Sequence, residues 1–148
     1  MGAIYILIGI LLLIMSIEDI KDKKVTAIYL ILLGILTVLG CGLCVHNMEK
    51  SYLSFLYMPI PGILLIALAF VTDKSIGKAD GLILTMLSLV LKEDTFILAI
   101  AISFGVLFTV ATIIMFSRKM DRSSRIPMVP FVTVGTICGL VAERIMWV

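Results

Sequence analysis

Gly77-Lys78-Ala79-Asp80 followed by GLILTMLSLVL (81–91) is the stretch whose reading decides the fold. The apolar part has 11 residues, about 16 Å of helix at 1.5 Å per residue. The hydrocarbon core of a bilayer is about 30 Å thick. Such a segment either dips in and returns, or crosses with its polar ends drawn below the membrane surface. The choice sets the topology of everything around it.

A membrane is the right solvent to consider. The 148 residues are 61% hydrophobic and 15% charged, against about 45–50% apolar and about 25% charged in soluble domains. Apolar blocks run over 2–17, 25–45, 52–72, 81–91, 95–116 and 126–142. A spanning helix needs about 20 apolar residues, and its backbone groups must be paired internally. The expected fold is an all-α polytopic membrane protein: a bundle of about six transmembrane helices, the fourth short, forming a single domain over 1–148. The net charge of +2, held in short clusters between the blocks, gives no sign of nucleic-acid binding.

Charge in the loops chooses between crossing and returning. With six spans, Lys21, Lys23, Lys24, Lys74, Lys78, Arg118, Lys119, Arg122 and Arg125 share one side, leaving Lys50, Lys92 and Arg144 on the other. The positive-inside rule puts the larger set in the cytoplasm and both termini outside. A returning fourth block would send Arg118, Lys119, Arg122 and Arg125 outward, so six spans are preferred. The first apolar run lacks a basic leader and ends in Glu18-Asp19, so it reads as a retained helix rather than a cleavable signal. Pro59, Pro61 and Gly62 are expected to kink or loosen the third block. Tyr52, Tyr57 and Trp147 fall where aromatic side chains commonly mark the interface.

Most of the special residues read as ordinary packing. Cys41 and Cys44 have a CxxC spacing, but a zinc site needs about four ligands, and the remaining cysteine, Cys138, stands alone. His46, the single histidine, is placed in a short outer loop. Ser16, Ser88 and Ser103 have no histidine on their side, which argues against a Ser-His hydrolase. Neither a metal nor a cofactor is called for.

Two acids remain. Asp19 closes the first apolar segment in MSIEDIKDKKV, and Asp80 heads the fourth. Each has a bland explanation alone, Asp19 as a solvated helix-end acid and Asp80 as a partner of the positive helix N-terminus. An ionisable residue at a membrane boundary is nevertheless costly to desolvate and is a functional candidate by default. Six spans bring both to the cytoplasmic side, and the short fourth helix gives Asp80 a reason to sit in a water-accessible recess. Two such acids on equivalent ends point to one shared site.

The local sequence around them resembles the type IV prepilin peptidase family. SIEDIKDKKVTA (16–27) is similar to that family's first aspartate motif, and Gly77-Lys78-Ala79-Asp80 resembles the GxGD motif of the same membrane aspartyl proteases, shared with presenilin-type enzymes. Arg125-Ile126-Pro127-Met128-Val129-Pro130-Phe131 resembles the proline-rich start of the family's last helix. The three occur in family order across the whole chain. Ala79 stands in place of the usual second glycine, Thr26 and Ala27 in place of Pro-Asn, and Leu82 in place of a lysine.

The resemblance implies catalytic roles for Asp19 and Asp80, with Gly77, Lys78 and Ala79 as an active-site loop leaving room for substrate backbone. It implies an aspartic endopeptidase that removes the cytoplasmic leader of pilin-like precursor proteins. The paired-CxxC cytoplasmic region of the bifunctional relatives has no counterpart here, so no N-methyltransferase activity is expected. The expected location is the plasma membrane, with the aspartates facing the cytoplasm. The alternatives are a small proton-coupled transporter using the same acids, and a non-catalytic pilus-assembly membrane protein.

Overall fold

A computed structural model describes residues 2–22, 25–46, 51–71, 77–116 and 127–146. Within them the chain forms α1 (Gly2–Asp22), α2 (Ala27–His46), α3 (Tyr52–Tyr57), α4 (Ile60–Val71), α5 (Lys78–Val90), α6 (Glu93–Phe116) and α7 (Val129–Met146). No strand occurs among the described residues. Four stretches are long and apolar enough to cross a membrane: Gly2–Asp22, Ala27–Val45, Leu53–Val71 and Glu93–Ile114. Their outward faces carry large apolar side chains such as Ile6, Ile31, Leu64 and Phe108. Helices that satisfy their own backbone and turn apolar surface outward suit a multi-pass membrane protein.

The helices overrun the apolar blocks. Glu18, Asp19, Lys21 and Asp22 belong to α1; Lys78, Ala79 and Asp80 to α5; Glu93 and Asp94 to the first turn of α6; Glu143 and Arg144 to α7. Hydropathy marks where hydrocarbon ends, whereas helical hydrogen bonding continues until a cap stops it. The acids in the first turns of α5 and α6 sit at positive helix ends, where they are favoured.

The third block is interrupted where its prolines predict. Pro59 has no N–H to donate, and α3 and α4 meet at Met58-Pro59, bridged by Met58 N–H to Ser54 O and Ile63 N–H to Pro59 O, both 3.0 Å. Gly62 departs from expectation: it does not loosen α4 but docks it. A Cβ on Gly62 would lie 2.6 Å from Thr85 N, and one on Gly81 would lie 2.9 Å from both Gly62 O and Ile66 N. The backbones of α4 and α5 therefore touch, which only residues without a side chain permit. Small residues at such crossings are the usual means of bringing membrane helices together.

The bundle consists of two groups of helices. α6 lies antiparallel on α7, and α7 antiparallel on α1; α4 lies antiparallel on α5, which runs alongside α2. The α1–α2 contact joins the groups, with a lighter contact between α5 and α6. One core unites them: Ile8, Leu12 and Met15 of α1, Leu33 of α2, Ile83, Leu84 and Leu87 of α5, and Val129 and Val132 of α7. The fourth block runs from one end of the bundle to the other and does not turn back, since α5 delivers the chain to the start of α6 at the opposite end. The basic residues Lys23, Lys24, Lys74, Arg118, Lys119, Arg122 and Arg125, and the aromatic Trp147, lie outside the described residues.

Candidate functional site

Side-chain meetings between helices fix the level of each acid. Ile4 of α1 lies beside Gly40 of α2, and Glu18 Oε2 accepts the Thr26 N–H at 3.3 Å. This antiparallel register sets Asp19 level with Val25, just before α2 begins. Gly34 of α2 meets Met86 of α5, and Gly40 meets Val90. That parallel register sets Asp80 between Ile28 and Leu30. The two acids therefore lie at the same end of the bundle, about one helical turn apart in depth at 1.5 Å per residue. Asp80 is the deeper one. It is also set back from the end of α4, because Ile66 packs on Gly81 while α4 continues to Val71.

Both acids share a face with core residues. Asp19 is one turn beyond Met15, and Asp80 one turn before Ile83 and Leu84, and all three belong to the common core. Residues three or four apart on a helix lie on one face, so each carboxyl group borders that core. Asp19 is 7% exposed. Its Oδ2 accepts the Val129 N–H at 3.1 Å. Val129 opens α7, whose first N–H groups have no partner within the helix; a carboxylate 110 residues away supplies the acceptor. Asp19 thus ties α1 to the start of α7, right beside the Pro127-Met128 stretch singled out in the sequence.

Asp80 is half-buried in the first turn of α5, with its N–H bonded to Gly77 O at 3.1 Å. Gly77 caps the helix with extended backbone, φ −70° and ψ 121°, so it is not required for a left-handed turn. A Cβ there would come 2.5 Å from Asp80 Oδ2, so a larger residue would turn that carboxyl group aside. The carboxyl group of Asp80 folds back over Gly77. Lys78 and Ala79 do not extend that cap into an open loop. They are helical, where alanine is at ease, and Lys78 Nζ stands 4.2 Å over the Phe70 ring of α4. Of the three expected loop residues, only Gly77 lies outside the helix.

Of the residues given bland readings, Cys44, Ser88 and Ser103 are engaged in packing or backbone bonds. Cys44 is buried with its Sγ 3.5 Å from Val90 O. Ser88 Oγ donates to Thr85 O, and Ser103 Oγ to Ala99 O, each at 2.6 Å. His46 ends α2 rather than occupying a loop.

A second polar cluster, at the opposite end, escaped the sequence reading. Ser54 Oγ donates to Glu93 Oε1, and Tyr57 OH donates to Glu93 Oε2 at 2.7 Å. Lys92 Nζ pairs with Glu143 Oε1 at 2.9 Å, and Thr95 Oγ1 donates to Glu143 Oε2 at 2.7 Å. The signal available was the Lys92-Glu93 pair between two apolar blocks, together with an acid, Glu143, following the last block. No family model, curated protein or solved structure matches the chain.

Proposed function

We propose that this chain is a membrane aspartyl endopeptidase of the prepilin-leader type, with Asp19 and Asp80 as its acid/base pair. The observation that carries the reading is that two core-bordering acids on separate helices lie at the same end of the bundle, about one helical turn apart in depth. One ionised carboxylate deprotonates the water that attacks the scissile carbonyl; the other, protonated, hydrogen-bonds that carbonyl and then protonates the leaving amine. Neighbouring carboxylates resist double ionisation and titrate as a unit holding one proton. The substrate is a pilin-like precursor whose apolar helix lies against the bundle and presents its leader junction at the acid end.

The decisive experiment is cleavage of a pilin-type precursor by purified protein. Wild type is expected to cut; Asp19→Asn and Asp80→Asn are each expected to lose cutting while remaining folded. Appreciable cleavage by either variant would remove the pair from the mechanism. The reading also requires the acid end to face the cytoplasm. In a cysteine-free background, a cysteine at Ser123 should react only with membrane-permeant reagents, and one at Asn47 with impermeant ones. Reversed labelling contradicts leader removal.

The Val129 contact favours a second reading, in which Asp19 is a lock on α7 in a non-catalytic assembly protein. Asparagine keeps an acceptor oxygen for Val129 N–H, whereas alanine does not. On this reading Asp19→Asn is unaltered in every assay, and only Asp19→Ala loses stability, by about 0.5–2 kcal/mol as for other lost helix caps. On the peptidase reading both variants are inactive.

A further inference from the structure

We propose that the cavity between the N-terminal half of α1 and the C-terminal half of α7 binds one anionic phospholipid. It lies at the end away from Asp19 and Asp80 and has a volume of about 840 Å³, within the roughly 300–1,000 Å³ common for small-molecule sites. Its walls are apolar, with Ile6 and Leu140 on opposite helices. Gly9 lies between them with nothing within 4 Å of where its Cβ would be. This open strip suits an acyl chain.

The mouth has a different chemistry. Lys92, Glu143 and Arg144 converge there, two cations against one acid. Both oxygens of Glu143 are already engaged, by Lys92 at 2.9 Å and Thr95 at 2.7 Å. Among the described lining residues the mouth therefore keeps one positive charge, beside the positive N-terminal end of α1. The guanidinium of Arg144 lies against the start of that helix, 3.7 Å from a Cβ position on Gly2.

Depth adds a further argument. Lys92 sits in the turn after α5, and the Val90 end of α5 is level with Gly40, while α2 continues to His46. Lys92 follows Val90 by two residues, which leaves about four residues of α2, about 6 Å, beyond its level. A phosphate held there places its acyl chain directly in the α1–α7 groove. A zwitterionic lipid would bring its own cation against Lys92 and Arg144. Lysine and arginine side chains at a membrane surface attract anionic headgroups electrostatically.

Native mass spectrometry of the full chain, exposed to equal amounts of phosphatidylglycerol and phosphatidylcholine with matched chains, tests the proposal. Wild type should retain one phosphatidylglycerol, preferred roughly five-fold over phosphatidylcholine. Arg144→Gln should bring that ratio towards one. Gly9→Phe should abolish retention of both lipids, its ring occupying the open strip; unchanged helicity and lipid-free melting temperature verify its fold. Equal retention of the two lipids by wild type overturns the proposal, as does wild-type retention by Gly9→Phe. Thermal protection by inorganic phosphate equal to that by phosphatidylglycerol also overturns it, because a bare anion makes no use of the groove.

Discussion

The two ends of α5 both bring charge inside the bundle, and they treat it differently. At the Val90 end, Lys92 and Glu93 follow the helix into a cluster where Glu93 meets two hydroxyl groups and Glu143 meets a cation and a hydroxyl. Opposite charges and donors are matched there, as buried polar groups require. At the Lys78 end, Asp80 enters at nearly the depth of another acid, Asp19, whose oxygen is held by a main-chain N–H. The difference is between an end where side chains pair with one another and an end where an acid carboxylate holds the main chain of another helix.

Exchanging charge for shape at each end gives the largest expected contrast. Asp80→Asn should reduce cleavage by about 10²–10⁴-fold, the usual worth of a positioned acid or base, and leave unfolding unchanged. Glu93→Gln should do the converse. If Glu93→Gln removes activity with no loss of stability, the division between the ends fails. Next in size is Gly81→Leu, beside Asp80: the added side chain meets backbone of α4, so unfolding in denaturant should show a loss of about 3 kcal/mol or more, the upper range for overpacking. A well-folded Gly81→Leu protein would mean that α4 and α5 do not touch through their backbones. Smallest is Ser54→Ala at the opposite end. Removing a buried donor to a charged group should cost about 1–2 kcal/mol in the same assay, with cleavage by the remaining folded protein unaltered.

The helical plan was legible because it rests on bulk quantities. The apolar blocks as helices and the interruption at Pro59 both carried into the structure, as did a short fourth block that runs on along the bundle without turning back. Helix ends were less legible: Asp80 and Glu93 extend their helices into polar sequence because backbone bonding does not follow hydropathy. The pair of aspartates could be nominated from position alone, but their relative depth could not. That depth depends on register, which is set by contacts such as Gly34 with Met86 and Ile4 with Gly40. The acceptor role of Asp19 was hidden for another reason. Its partner is the N–H of Val129, and a main-chain donor has no signature in sequence. Gly81 was overlooked because a glycine opening an apolar run carries no mark of the backbone it touches.

Unequal helix length has a consequence in elasticity. α5 spans 13 residues and α6 spans 24, about 20 Å and 36 Å at 1.5 Å per residue. No flat bilayer matches both. Lipid beside the longer helix must stretch or the helix must tilt, while lipid beside the shorter one must compress, each at fractions of a kcal/mol per Å. Longer acyl chains would raise the strain around α5, and shorter ones would relieve it. Because Asp80 sits at the head of that same helix, membrane thickness becomes a variable that sets how far the acid lies beneath the water.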